Sequence, residues 1–410
     1  MEASSDIYDA IVVGSGGAGC SAAITLSDNG KTVLLLTRND FLDSKTSRAQ
    51  GGLQAPIFDG DSPDLLFEDA SKAGEYENVP VLTRILADNA ADTIQWLIGL
   101  GIKFDVDEDG AFLSRGAAGL SKPRVISCGD ASGNRIMAPL QKQILSRPID
   151  VSEFQTVYEI DRDENGFQVS TFNPTSNRES TYAARTVILA TGGAMPREKR
   201  AGLQSDSLRV QPDSIMLAEN IGLTTKNPEL TQFHPTGIVL PKSLRRKPVP
   251  ELVRTAGAEL FNKDNLVFAD SMLTRKKLCD AIVEECEAGR GVSTDDGRVG
   301  VWLDTPAVDK KHGSGYFKEK FFTLYSKMMA EGHDPTEKPI LVYPIAHYTI
   351  GGIEIDENCS TNISGIFAAG EATWGVHGAD RLMGNSLLEI FVFGQQAALS
   401  ACRYLSGELR

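Results

Sequence analysis

Residues 8–37 read YDAIVVGSGGAGCSAAITLSDNGKTVLLLT, and the order of strand-forming, glycine-rich and helix-forming runs within them decides the fold. Tyr8–Val13 is a β-rich apolar run that stops at glycine, as a buried strand does. Gly14–Gly19 (GSGGAG) turns into an alanine-rich helix for which Asn29-Gly30 is a good stop. Lys31–Thr37 (KTVLLLT) is a second buried strand. Gly14, Gly16 and Gly19 stand in G-x-G-x-x-G spacing inside this βαβ unit. The first glycine permits the tight turn, the second lets backbone approach a pyrophosphate, and the third lets helix and strand pack closely. Gly17 and Ala18 complete a helix N-terminus whose free N–H groups suit a phosphate. The expectation is a Rossmann-like α/β domain holding a dinucleotide.

Two further segments favour FAD over NAD. The end of the second strand usually carries an acidic residue for the adenosine ribose. Here Thr37 and then Arg38 stand there, and a threonine can still hydrogen-bond a ribose hydroxyl. Thr186–Ala190 (TVILA) is another buried strand, ending at Thr191-Gly192-Gly193. Ala190, Thr191 and Gly192 are read as a second cofactor contact, the alternative being a plain strand-ending turn. The third segment is Ile366–Gly394, IFAAGEATWGVHGADRLMGNSLLEIFVFG. In it Glu371 follows a buried strand, Arg381 is placed to face a substrate, and Asn385 opens a helix whose free N–H groups can meet a ring oxygen. A nucleotide gripped from three distant segments is long and deeply buried, which suits FAD.

The bulk numbers exclude other classes. A chain of 410 residues is expected to form two domains, and 41% hydrophobic with 23% charged residues is ordinary globular composition. A net charge of −14 leaves no basic excess for nucleic acid; the basic run Lys242–Lys247 reads as a solvated loop. The six cysteines form no CxxC pair, which points to a reducing compartment. The acidic N-terminus has no apolar leader core, and no stretch is long and apolar enough for a membrane span. A soluble cytoplasmic protein is expected.

Along the chain, residues 82–99 read as one amphipathic helix, and 151–170 as a β-hairpin turning at Asp163–Gly166. Between about 237 and 344 charge increases and helices are expected over 275–288 and 315–331, which reads as an inserted α+β domain. Residues 1–236 and 345–410 would form the FAD-binding domain, and 237–344 the capping domain.

At this point the chain resembles the fumarate reductase/succinate dehydrogenase flavoproteins, which include L-aspartate oxidase. The resemblance rests on Gly14–Gly19, Ser44-Lys45-Thr46, Ala49-Gln50-Gly51-Gly52, Gln232–Gly237 (QFHPTG), His347–Gly352 (HYTIGG) and Gly378–Leu388 (GADRLMGNSLL), in that order. It implies an FAD domain interrupted by a capping domain, with the active site between them and the helical C-terminal domain of those relatives absent. It further implies that Ser44, Thr46, Gln50, Gly51 and Gly52 run beside the isoalloxazine ring. Asp213 would hold part of the FAD, or act as a helix N-terminal residue. Glu371 would meet a ribityl or ribose hydroxyl, and Ser386, Leu387 and Leu388 the pyrimidine end of the ring. Covalent attachment in the respiratory enzymes uses a histidine where Lys45 stands, so non-covalent FAD is expected.

The same resemblance implies the substrate groups. His234 and His347 sit at the two junctions of the insertion; with Arg381 they would bind and polarise a dicarboxylate. Arg275 aligns with the family's proton-donating arginine and Glu251 with the glutamate that relays to it. The usual threonine before that glutamate is Pro250, for which Thr236 is a partial replacement. His377 is read as turn packing, and His312 and His333 as structural. Interconversion of fumarate and succinate is the leading expectation, with electrons exchanged through a separate donor or acceptor. Oxidation of L-aspartate to its imine is the alternative. Arg124–Gly133 (RVISCGDASG) favours that branch, but Arg115-Gly116-Ala117-Ala118-Gly119 lacks the glutamate expected to meet an ammonium. A non-catalytic flavoprotein would have lost Arg381 or His347, and both are present. Asp380 stands where the family has asparagine, an added anion expected to weaken the grip of Arg381.

Overall fold

The computed structural model describes residues 2–194 and 213–409. Strand β1 (Glu2–Val13), helix α1 (Gly17–Asp28) and strand β2 (Val33–Leu36) form as their patterns require. β2 lies parallel to β1, with Val13 opposite Leu36. Strand β3 (Ile149–Ser152) adds in parallel outside β2. Strands β4 (Thr156–Arg162) and β5 (Phe167–Asn173) form an antiparallel hairpin, and β6 (Arg178–Leu189) runs parallel to β1 on its other side. The resulting order is β3-β2-β1-β6-β5-β4. The last residues of β6, Val187–Leu189, take the late strand Ile366–Ala368 as a second parallel neighbour. β2 and the C-terminal ends of β1 and β6 are buried on both faces, hence their unbroken apolar runs, whereas Asp150 on β3 is exposed at the sheet edge.

Two local expectations are corrected. Val151 and Ser152 belong to β3, paired in parallel with Leu35 and Leu36, and the hairpin begins only after the chain turns at Phe154 with φ 57°. Alternation alone does not separate a parallel from an antiparallel neighbour. The helix expected over 82–99 is two, Pro80–Asp88 and Ala90–Gly99. Between them the Asn89 side chain donates to the Ile85 carbonyl at 2.8 Å, the local competition with the helix ladder that asparagine favours.

A second sheet is antiparallel. Its strands are β7 (Thr231–Leu240), β8 (Leu260–Phe261), β9 (Val299–Leu303) and β10 (Ile340–Thr349), in the order β7-β10-β9-β8. Helices α2 (Glu251–Thr255) and α3 (Arg275–Glu287) share its apolar cluster, which includes Leu252, Leu278, Ile282, Val301 and Leu303. The helix expected over 315–331 is interrupted at Phe321. The last helix, α4 (Asn385–Ser406), packs on α1, where the Ser21 hydroxyl donates to the Phe391 carbonyl at 3.0 Å. Phe391 and Phe393 on α4 are 0% exposed, and each contributes roughly 1.5–3 kcal/mol by burial. Among the described residues no helix is long and apolar enough to cross a membrane.

Candidate active site

The strand ends, the N-termini of α1 and α4 and the second sheet meet around one cavity of about 360 Å³. At one end lie Gly14, Gly16, Gly17 and Ala18. Gly14 tolerates no side chain: with φ at +114°, an added Cβ would stand 2.2 Å from the Ala190 carbonyl oxygen. A Cβ on Gly19 would stand 1.7 Å from the Gly14 carbonyl oxygen, so Gly19 packs behind the loop and does not line the cavity. Thr37 and Arg38 line the same end, the Thr37 hydroxyl accepting from Ser15 at 2.8 Å. Thr46 reaches the loop itself, accepting from the Gly17 N–H at 3.1 Å.

The wall continues through Ser44, Gln50, Gly51, Gly52, Ala190, Thr191, Gly192, Glu371, Ser386 and Leu387. The Ser44 hydroxyl accepts from the Ser47 N–H at 3.1 Å and so shapes its own turn. Glu371 accepts from the Thr349 N–H at 3.0 Å and pairs with the Lys45 ammonium at 2.5 Å. Burial, partly offset by Glu371, lowers the pKa of Lys45. Asn385 is 0% exposed, behind the wall. Asp213 opens the helix Asp213–Asn220, and the expectation for its side chain lies outside the described residues.

At the other end the cavity is lined by His234, His347, Glu251, Arg275 and Arg381. Both histidines sit where their strands lose register. Gln232 pairs with Tyr348 but Phe233 pairs with Ala346, which leaves His347 as the extra residue of a β-bulge. A bulge re-aims a side chain, and the imidazoles come to 5.1 Å between centroids. The Thr236 N–H donates to Nδ1 of His234 at 3.3 Å, so the neutral ring carries its proton on Nε2. Thr236 does not replace the hydroxyl missing at Pro250. It is 0% exposed, and its hydroxyl donates to the Val249 carbonyl at 3.1 Å.

Arg275 is held from two sides: Nε donates to Glu251 at 3.0 Å and Nη1 to the Gln232 side-chain carbonyl at 2.8 Å. Glu251 also faces Arg254 at 3.5 Å. Burial opposes its charge, but Arg275 and Arg254 outweigh burial and bring its carboxyl below the usual range. Arg381 makes no ion pair among the described residues. Its guanidinium lies 4.6 Å over the Tyr348 ring with Nε unpartnered, and burial beside Arg275 lowers its pKa to about 10. The two oxygens of Asp380 are taken by Gln232 and the Lys276 N–H, not by the Arg381 guanidinium. The expected weakening of that clamp has no contact behind it.

Burial and the neighbouring arginines, Arg275 first, push both His234 and His347 well below the ordinary value of 6.5. Below that pH the unfolded chain protonates both rings while the folded one does not. Folding is then penalised by up to about 1.4 kcal/mol per pH unit per ring, and above it the penalty vanishes. The unfolding temperature is expected to fall from about pH 7.5 to about 5.5. That acid slope should shrink in the His234→Gln/His347→Gln double variant; an unchanged slope would mean that both rings titrate freely.

The FAD binding domain family matches residues 9–387. The fumarate reductase (CoM/CoB) chain of Methanothermobacter marburgensis is 33% identical over 412 residues, covering 97% of this chain and 73% of that protein. L-aspartate oxidase of Clostridium acetobutylicum is 31% identical over 394 residues, covering 95% of this chain and 87% of that protein. The chain belongs to the fumarate reductase and L-aspartate oxidase flavoprotein family. This flavoprotein also superposes on FrdA of E. coli quinol fumarate reductase, solved as a mutant, with a TM-score of 0.90 at 27% identity, over 98% of this chain and 71% of that one. It is an FAD-dependent oxidoreductase.

The residues present fit FAD. The glycine loop lines the cavity, and among the described residues the buried Thr191 hydroxyl has no partner. Buried Asn385, beside Ser386 and Leu387, likewise has no partner among them for either amide atom. Reasoning from sequence missed Gln232, Arg254 and Tyr348 as site residues. The Glu251-x-x-Arg254 spacing, which puts two charges on one helical face, was a signal for Arg254. Gln232 and Tyr348 lie inside the motifs QFHPTG and HYTIGG that carry the resemblance, but neither motif by itself shows what those two side chains meet. His377 is buried against Tyr348, with Nε2 3.5 Å from Glu389, whereas the His312 ring stacks on Tyr316 and faces the Ala256 carbonyl, and His333 faces the Lys338 carbonyl.

Proposed function

We propose that this flavoprotein interconverts an unsaturated small dicarboxylate and its saturated partner, fumarate and succinate being the reference pair. The observation that carries the reading is Arg275, tied to Glu251 and Gln232, on the same cavity as His234, His347 and the unpaired Arg381. Arg381 binds a carboxylate, and the Nε2–H of His234 and the His347 ring hydrogen-bond the substrate's polar ends. Bound FAD supplies or accepts hydride at N5. Arg275 gives a proton to the other carbon, and it works as an acid only because Glu251 restores that proton at once. Arg254, beyond Glu251 and donating to the Ser271 carbonyl, extends this line of proton-bearing groups away from the cavity.

In this reading residues 237–344 cap the site and FAD is bound non-covalently, with the Lys45 ammonium engaged by Glu371. The protein acts in the cytoplasm, where its six free thiols persist, and exchanges electrons with a separate donor or acceptor. The second reading, oxidation of L-aspartate, is favoured by the likeness to L-aspartate oxidase. It ranks below the first because, among the described residues, every carboxylate lining the cavity is already paired: Asp43 with Arg48, Glu251 with Arg275, and Glu371 with Lys45. Among those residues an ammonium would find no free anion.

The test is anaerobic. Photoreduced flavoprotein mixed with fumarate is expected to regain its oxidised absorbance rapidly, and oxidised flavoprotein should not bleach with L-aspartate. Bleaching by L-aspartate without reoxidation by fumarate would reverse the ranking.

A further inference from the structure

Arg381 is a buried cation that makes no ion pair among the described residues. Its Nη1 reaches the Leu382 carbonyl at 3.3 Å, and its Nε has no partner among those residues. What lies against it is a ring. The guanidinium carbon stands 4.6 Å over the centre of Tyr348, which follows the bulged His347 on β10 and lines the cavity beside it. A cation is drawn to the negative face of an aromatic ring, most strongly where water is excluded. That attraction takes up none of the guanidinium N–H donors. A carboxylate in the same place can occupy two of them and would compete with an incoming substrate carboxylate.

Tyr348 is itself fixed from behind. Its hydroxyl donates at 2.9 Å to Glu389, which is 1% exposed on α4. Burial first, then Glu389, puts the phenol well above its ordinary pKa, so it remains the donor. His377 packs edge-on against the ring, 5.6 Å between centroids, with Nε2 3.5 Å from the same Glu389 oxygen. The rim of the ring is therefore held by polar groups, and a face is left to the cation. Lys45 also stands 5.5 Å from the ring centre, but its ammonium is taken by Glu371 at 2.5 Å.

We propose that the Tyr348 ring is a positioning group for Arg381, holding its guanidinium at the cavity with the N–H donors free for a substrate carboxylate. The proposal rests on Arg381 being the carboxylate clamp.

The test uses the flavin-loaded protein with Tyr348→Leu, which removes the ring, and Tyr348→Phe, which keeps it. Malonate binding, followed through flavin absorbance, is expected to weaken roughly 10-fold in the leucine variant, the scale of a desolvated cation–ring contact. The phenylalanine variant should stay within about three-fold of the parent, since its ring face is retained. Equal losses in the two overturn the proposal, because the hydroxyl and not the ring would then matter. Fumarate kcat/KM in Tyr348→Leu should fall in the same proportion, chiefly through KM. In an Arg381→Ala background the same substitution should cost less than about two-fold. An undiminished loss there overturns the proposal, since Tyr348 would act on substrate or flavin directly. A crystal structure of Tyr348→Leu should show the Arg381 guanidinium displaced, and one left in place overturns the proposal too. Parent protein that neither binds malonate nor turns over fumarate defeats the proposed function instead. The position of Arg381 in that crystal structure alone then decides. Should Tyr348→Leu not accumulate in folded form, Tyr348→Met offers a longer, more adaptable side chain without a ring and must show the same loss. Parental malonate affinity in that variant overturns the proposal.

Discussion

Replacing Arg275 by alanine is expected to lower turnover by about 10³-fold or more, in the range seen for loss of a general acid, while the purified variant stays yellow. Its side chain bonds only to Glu251 and Gln232 among the described residues, so its loss breaks no bond of the glycine loop or of α4. What disappears is a donor bonded at 3.0 Å to Glu251 and at 2.8 Å to Gln232. Glu251, 5% exposed, would keep only Arg254 at 3.5 Å. Breaking a buried ion pair from one side costs about 3–5 kcal/mol, so the unfolding temperature should fall together with activity. Arg275→Lys should recover little, since one ammonium does not reproduce a guanidinium that bridges two acceptors. The measurements are flavin absorbance, thermal unfolding and turnover of the same preparation. Activity retained by the alanine variant would remove Arg275 from the role of proton donor.

Replacing Arg381 by alanine is expected to act on binding and to shift stability the opposite way. Removing one partner of a buried carboxylate contact costs about 2–5 kcal/mol, which predicts a loss in kcat/KM of roughly 30-fold or more, largely through KM. With burial bringing its pKa to about 10, Arg381 remains a cation at neutral pH. Among the described residues no carboxylate pairs with it, and in the ligand-free protein burial and Arg275 outweigh the compensation from Tyr348, Glu371 and Asp380. Its removal should therefore leave the ligand-free unfolding temperature unchanged or higher, and abolish the stabilisation that a bound dicarboxylate gives the parent protein. Malonate, a dicarboxylate without an oxidisable carbon pair, is the probe: it should raise the unfolding temperature of the parent and not of the variant. An unfolding temperature for ligand-free Arg381→Ala as low as that of Arg275→Ala would mean that Arg381 is a structural cation.

Much of this was readable from residues close together in the chain. Strand, glycine turn and helix follow from apolar periodicity and from steric demands met within a few residues, as Gly14 and Gly19 show. Grouping His234, His347 and Arg381 needed the resemblance, since nothing local joins positions so far apart. His347 reaches the cavity because β10 carries one residue more than β7 at that point, a register fact invisible in either strand alone. The hydroxyl of Thr236 is lost to Val249, a partner brought near by the return of the chain after β7.

The sequence by itself determined the βαβ unit, the class of cofactor it holds and the side chains available for chemistry, because backbone sterics and apolar period act over a few residues. Only the tertiary structure decided what each polar atom meets. Asp380 looked like an anion set against Arg381. Packing of three segments around 232, 275 and 380 turns it to Gln232 and Lys276 instead, since a buried carboxylate settles where donors converge, and those donors come from distant parts of the chain.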